Sequence, residues 1–376
     1  MINTEKIHSL LDGEIDLFTG VPDSLLWDFC ACITDRSPAD RHIIAANEGA
    51  AVAIAAGHYL ATGKTALVYM QNSGIGNAVN PLLSLADPKV YRIPMLLVVG
   101  WRGEPGVKDE PQHAKQGEVT LALFDAMKIP YIVIDEDETT AEKQFTQLLA
   151  QATSTSSPQV AIIRKNLFSA YQLNNKPVNN FTMSREEALQ TVIDSLGEDD
   201  IVISTTGKLS RELFEYRELK GEGHEKDFLT VGSMGHSMSI ALGVALSKPD
   251  RIVYCLDGDG AMMMHLGAMT NIGASGLKNF RHIVFNNGAH ESVGKQPTVA
   301  FQMNLSQIAL GCGYKDAYDV TEIIELKQVL RTFRDEEGPV LLEIKVNLAS
   351  REDLGRPTRT THENKEDFMR YISNFK

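Results

Sequence analysis

The chain of 376 residues has few cysteines, no long apolar run and no surplus of positive charge. Its four cysteines, Cys30, Cys32, Cys255 and Cys312, form no CxxC pair and are too sparse to staple a domain of this size, so they read as small buried hydrophobes in a reducing compartment. No apolar run approaches the ~18 residues of a membrane-spanning helix, and the opening MINTEKIHSL lacks the apolar core of a signal peptide. A soluble, cytoplasmic protein with no membrane partner is therefore expected. A formal net charge of -13 leaves no cationic excess to neutralise phosphates, which argues against a nucleic-acid partner. Any anionic ligand must be held by a few locally placed cations. A dinucleotide-binding GxGxxG is missing too: NSGIGNAV comes nearest and lacks the third glycine.

What is present is globular: 43% hydrophobic and 23% charged residues with no low-complexity tract. The length fits two domains better than one core. In the first part, DLFTG, HIIAA, TALVYM, PMLLVVG, YIVID and QVAIIR read as strands. Helices are expected near Asp23, from Asn47 to Ala61, after Gly76 and from about Thr139, with a long loop between PMLLVVG and YIVID. The alternation fails in the polar stretch NLFSAYQLNNKPVNNFTM and restarts at Ser184, which can form a capping box with Glu187. Strands DIVIST, DFLTVGS, RIVYCL, HIVF, AYDV and PVLLEIKV then alternate with helices. The expectation is an α/β chain of two tandem, doubly wound parallel-sheet domains with no middle domain: residues 1–168, a linker over 169–183, and residues 184–376.

Two polar tripeptides follow apolar strands. Gly258-Asp259-Gly260 comes after RIVYCL, and Asn286-Asn287-Gly288 comes after HIVF. Either alone is what ordinary turns are made of. Together, at the carboxyl ends of neighbouring strands where open parallel sheets bind ligands, they offer one charged and one neutral oxygen, a set suited to Mg²⁺ bridged to a phosphate.

A Gly-Asp-Gly followed by Asn-Asn after the next strand resembles the signature of the thiamine diphosphate-dependent 2-oxo acid decarboxylase family. The resemblance implies that Asp259, Asn287 and the carbonyl of Ala289 hold Mg²⁺, which in turn holds the diphosphate beside Gly258 and Gly260. It also implies an activating glutamate at the start of an Ala-rich helix, and HIIAANEGAAVAIAAGHYLATGK places Glu48 there. TVGSMGHSMSIALG is similar to the segment supporting the bent cofactor, with Gly232 accepting through its carbonyl and Met234 as the apolar wedge. STTGKLSRELF occupies the place of a diphosphate-side loop, bringing in Thr206 and Gly207.

A closer likeness to members acting on pyruvates with an anionic C3 substituent lies in FTGVPDSLLWDF, VGWRGEPGVKDEPQHAKQGE and NNGAHESVGKQPT. It implies decarboxylation of 3-phosphonopyruvate to phosphonoacetaldehyde in phosphonate biosynthesis, with sulfopyruvate or another 2-oxo acid as alternatives. Asp23 and His113 would act in catalysis beside Glu48. Arg102, Lys108, His290 and Lys295 would meet the anionic 2-oxo acid. The family also implies a homodimer or higher homo-oligomer with sites shared between subunits. Where pyruvate decarboxylases carry a further glutamate, this chain has Val293.

Overall fold

The structure, a computed structural model, describes residues 1–373. It divides into two compact units: Met1–Lys176 with His290–Gln296, and the remaining described residues from Pro177 onward. Among the described residues no helix is long and apolar enough to cross a membrane.

The first unit runs α1 (Thr4–Asp12), β1 (Leu17–Gly20), α2 (Trp27–Arg36), β2 (His42–Ile44), α3 (Glu48–Thr62), β3 (Ala66–Gln71) and α4 (Ile75–Pro81). It continues with β4 (Met95–Gly100), α5 (Pro111–Met127), β5 (Tyr131–Val133), α6 (Glu138–Thr155) and β6 (Pro158–Ile163). The strands form one parallel sheet in the order β2-β1-β3-β4-β6-β5. Strand alternation feeds two cores. Val68, Met70, Leu97 and Val99 enter one, while Leu67, Tyr69, Leu96 and Val98 enter the other. All six residues of β4 are buried, as two-sided cover requires.

The second unit runs α7 (Arg185–Asp194), β7 (Ile201–Ser204), α8 (Lys208–Lys220), β8 (Asp227–Leu229), α9 (Ser237–Ser247), β9 (Val253–Gly258), α10 (Asp259–Met264), α11 (Ala268–Ser275) and β10 (Phe280–Asn286). The short strands β11 (Ala289–His290) and β12 (Gln296–Pro297) lie in the segment after β10. Then come α12 (Leu305–Gly311), β13 (Asp316–Val320), α13 (Ile323–Phe333), β14 (Val340–Lys345) and α14 (Thr361–Ser373). Its parallel sheet has the order β8-β7-β9-β10-β14-β13. Counted within each unit, the two strand orders are the same, so the halves share one topology. In each sheet the order reverses beside the first strand, between β1 and β3 and between β7 and β9, opening a crevice at the carboxyl edge.

Several elements depart from the sequence expectation. The long loop expected after β4 contains α5, whose first turns are polar and interrupted by Gly117. That glycine is needed for packing, because a Cβ there would lie 1.7 Å from the carbonyl oxygen of Gly103. The helix expected near Asp23 starts at Trp27. Ser184 and Glu187 do form the capping box of α7. Cys30, Cys32 and Cys255 are buried, whereas Cys312 is only partly so.

Arg281 is 1% exposed and compensates its burial through backbone carbonyls. Its guanidinium donates to Phe333 (2.8 Å), Lys278 (2.9 Å), Phe280 (3.2 Å), Arg334 (2.7 Å) and Glu336, so it ties the end of α13 to the start of β10. Arg281→Met removes the guanidinium donors from these carbonyls, while that of Lys278 keeps the N–H of Gly338. Urea denaturation followed by far-UV circular dichroism should show a loss of about 3–5 kcal/mol. A loss under about 1 kcal/mol would mean that water replaces the arginine at little cost.

Candidate active site

At the carboxyl edge of the first sheet, the Asn47 side chain caps α3 by accepting from the N–H of Ala50, which places Glu48 in the first helical position. The Glu48 carboxylate is 4% exposed and accepts from Asn77 Nδ2 at 2.7 Å. A Cβ at residue 74 would lie 2.3 Å from Glu48 Oε1, so Gly74 leaves the space that the carboxylate fills.

Asp23, after β1, is fully buried. One oxygen accepts from the Gln71 amide, while Oδ2 has no hydrogen-bond partner. Burial raises its pKa against the opposing effects of Gln71, Arg102 and the N–H groups of Leu25 and Leu26. A Cβ at residue 100 would lie 2.3 Å from that Oδ2, so Gly100 again makes room for an acid.

Arg102, expected to meet substrate, has its guanidinium occupied within the unit. It pairs through both nitrogens of its fork with Asp109, Nε to Oδ2 at 2.8 Å, and donates to Ser24 Oγ. Burial works against the Asp109 anion, but Arg102 and the N–H groups of Glu110 and Gly103 hold its pKa well below the usual carboxylate range. His113 is half-buried in the first turn of α5, with Nδ1 unpartnered. Burial, then the charge of Arg102, lower its pKa and favour the neutral ring. Lys108 is exposed and forms no ion pair among the described residues. In the segment His290–Gln296, His290 and Lys295 are half-buried. Lys295 has a left-handed backbone (φ 62°), and its N–H donates to the carbonyl of His290 at 3.0 Å.

The second sheet brings its expected residues to one edge. Parallel register pairs Phe285 with Gly258, so Asp259 and Asn287 leave adjacent strands side by side. The two asparagines divide their roles. Asn286 is structural, donating to Glu343 Oε1 at 2.6 Å and accepting from the N–H of Gly288. Asn287 Oδ1 accepts from the N–H of Ala289 at 3.0 Å, which fixes the loop carrying that carbonyl. Asp259 is 4% exposed, and burial raises its pKa to about 6 despite the hydroxyl of Thr298 (2.6 Å) and the N–H groups of Gly260, Asp259 and Asn287.

Nearer β7 and β8, Thr206 Oγ1 accepts from the N–H of Gly232 at 3.2 Å, joining two further loops. Gly207 (φ 103°) starts α8 in a conformation reserved for glycine. Gly232, Ser233 and Gly235 all have positive φ (73°, 46° and 86°), and half-buried Met234 sits within this run.

These groups fit a bound cation and diphosphate. Asp259 is a buried anion with no cationic partner among the described residues, the condition a divalent ion relieves. Its neighbours are neutral oxygens and N–H groups, and a Cβ at Gly258 would meet nothing within 4 Å, leaving open space above the loop. Sequence reasoning missed Thr298, Asn77, Gly74 and Gln71. None has a motif of its own, and each is defined by what it touches.

Residues 6–129 match the family model described as thiamine pyrophosphate enzyme, N-terminal TPP binding domain, and residues 205–344 match the corresponding C-terminal TPP binding domain. The chain is 33% identical to a phosphonopyruvate decarboxylase of Streptomyces viridochromogenes, covering 99% of this chain and 96% of that protein. It is also 33% identical to one of Streptomyces hygroscopicus, over 99% and 94% of the two chains. A sulfopyruvate decarboxylase of Methanosarcina acetivorans is 27% identical over 89% of each.

The loop held by Asp109 offers a direct test of the first sheet edge. Asp109→Asn removes the anion shared by Arg102, Gly103 and Glu110. Hydrogen-exchange mass spectrometry should show amides over residues 103–110 exchanging about tenfold faster or more, while α3 and the strands are unchanged. Unaltered exchange would show that the loop stands without this carboxylate.

Proposed function

This chain belongs to the thiamine pyrophosphate enzyme family, and from that premise we propose that it decarboxylates 3-phosphonopyruvate to phosphonoacetaldehyde and carbon dioxide, using thiamine diphosphate and Mg²⁺. The observation that carries the cofactor reading is the buried, uncompensated Asp259 beside Asn287. The substrate reading is supported by the two nearly full-length phosphonopyruvate decarboxylase relatives. Such a reaction belongs in phosphonate biosynthesis, in the cytoplasm. The sulfopyruvate decarboxylase relative supports sulfopyruvate as the second reading.

In this proposal Asp259, Asn287 and the Ala289 carbonyl hold Mg²⁺, while Thr206, Gly207, Gly258 and Gly260 line the diphosphate. The Gly232 carbonyl, Met234 and Glu48 receive the organic part of the cofactor. When bound, thiamine diphosphate supplies the electron sink for the carbon–carbon bond that breaks. The protein must orient the 2-oxo acid, exclude water and deliver one proton to the carbon that loses carbon dioxide. Asp23, whose burial favours its protonated form, is the candidate for holding that proton, and the neutral imidazole of His113 is a candidate relay that must accept a proton before it gives one up. Glu48 and Asp259 lie in different units, and we propose that active sites are shared between subunits of a homodimer or larger homo-oligomer.

The deciding experiment incubates purified protein with thiamine diphosphate, Mg²⁺ and a panel of 3-substituted pyruvates while carbon dioxide and aldehyde are measured. Phosphonopyruvate should give the highest kcat/KM, and a preference for sulfopyruvate would make the second reading the better one. Asp259→Ala should abolish Mg²⁺-dependent cofactor binding in a fluorescence titration with the fold retained. Glu48→Gln should still bind the cofactor while losing at least about a hundredfold in kcat. Normal binding by the first variant, or normal turnover by the second, would remove that residue from its role.

Among the substrate cations proposed, Lys108 and Lys295 have no ion pair among the described residues, unlike Arg102. A charge-assisted contact from Lys295 to the phosphonate would make Lys295→Ala lose about 1.5–3 kcal/mol in kcat/KM for phosphonopyruvate, mainly through KM, and much less for pyruvate. Steady-state kinetics on both substrates measure this. Equal losses would mean that Lys295 does not read the phosphonate.

A further inference from the structure

Beneath the Asp259 loop lies a buried polar cluster with no part in the proposed reaction. Cys255, Asp257 and His282 are fully buried, and one ligand-type atom from each lies within 4.8 Å of the others. Residues two apart on β9 share a face, and the register pairs Cys255 with His282 on β10, so the three side chains converge on the face that α9 covers. A carboxylate here carries a large desolvation cost that an apolar residue would not.

Its hydrogen bonds point to what that cost achieves. Asp257 Oδ1 accepts from the N–H of Gly258 at 3.0 Å, and Oδ2 accepts from Ser237 Oγ at 2.9 Å. Gly258 opens the loop to Asp259. Ser237 is the first residue of α9, with a single residue separating it from the Gly232–Gly235 run and its three positive φ angles. The Thr205 hydroxyl is nearby but unpartnered by hydrogen-bond geometry, whereas its N–H donates to the carbonyl of Leu256 on β9 at 2.8 Å. His282 Nε2 is 4.0 Å from Asp257 Oδ2 and has no hydrogen-bond partner, while Nδ1 lies 3.2 Å from the Tyr314 hydroxyl.

We propose that Asp257 is a positioning residue for cofactor binding: its carboxylate joins the β9–α10 junction at Gly258 to the N-terminus of α9 and so holds the Gly232–Gly235 loop in register with the Asp259 site. The inference rests on the cofactor reading above. Asp257 touches none of the residues assigned to the metal through its side chain. It acts by reducing the ordering that these two segments must undergo when the cofactor binds.

The test compares Asp257→Ala, Asp257→Asn and Ser237→Ala by fluorescence titration of the Mg²⁺–thiamine diphosphate complex and by hydrogen exchange of the cofactor-free protein. Asp257→Ala and Ser237→Ala should each raise Kd about tenfold or more and speed exchange over residues 230–236. An amide can accept from Gly258 and donate to Ser237 Oγ, so Asp257→Asn should restore Kd to within about threefold of wild type. The Asp257→Ala, Ser237→Ala double variant should bind no more weakly than Asp257→Ala, since both remove one link.

Wild-type Kd and exchange in both folded alanine variants would overturn the proposal, as would additive losses in the double variant. If Asp257→Ala does not fold, Ser237→Ala decides by the same criteria. Failure of the wild type to bind thiamine diphosphate would instead defeat the cofactor reading. Unchanged exchange in the alanine variants would then separately defeat the proposed link. Stoichiometric zinc that is lost with Cys255→Ser would also overturn it, by making Asp257 a metal ligand.

Discussion

A parallel sheet covered on both faces leaves polar chemistry at the edges of its strands. Every strand side chain in the centre of either sheet faces a helix-covered core, so ligand-binding groups must come from the loops just past the strand ends. Asp23, Gln71 and Arg102 follow or end β1, β3 and β4, while Thr206, Gly232, Asp259 and Asn287 follow β7, β8, β9 and β10. The repeated strand order gives each unit a crevice at the same topological position. The groups placed there differ: two buried acids with side-chain amide donors in the first unit, and a buried acid with a hydroxyl donor beside a run of positive-φ residues in the second.

Burying acids at these edges requires both partners and space. Glu48 and Asp23 each have one amide donor, from Asn77 and Gln71, and each lies where a neighbouring glycine leaves out a methyl group. Asp259 is treated differently. Backbone N–H groups and Thr298 satisfy some of its acceptor capacity but provide no opposite charge, which is why burial still raises its pKa. Two other buried acids are paired directly with arginine, Asp227 with Arg217 and Glu212 with Arg185.

Much of the fold was legible along the chain because its signals are local. Apolar runs alternating with helical segments, the Ser184–Glu187 box and the Ala-rich α3 each lie within a few turns or one strand. Helix α5 was not legible, since its polar opening and Gly117 read as loop. Only the approach of Gly103 explains that glycine. Arg102 shows the same limit for charge: nothing local announces that its fork pairs with Asp109.

The sequence by itself determined the fold class, the two-part organisation, the family likeness and the placement of Gly258-Asp259-Gly260 and Asn286-Asn287 after adjacent strands. These follow from periodicity and from residue types in fixed order. Only the tertiary structure decided which groups complete each site. Thr298 reaches Asp259 across 39 residues, Gln71 reaches Asp23 across 48, and Ser237 reaches Asp257 across 20. The hydrogen bonds join strands and loops that become neighbours through sheet pairing, and their donors carry no local pattern to announce them. Separation along the chain hides what the parallel register, once formed, makes adjacent.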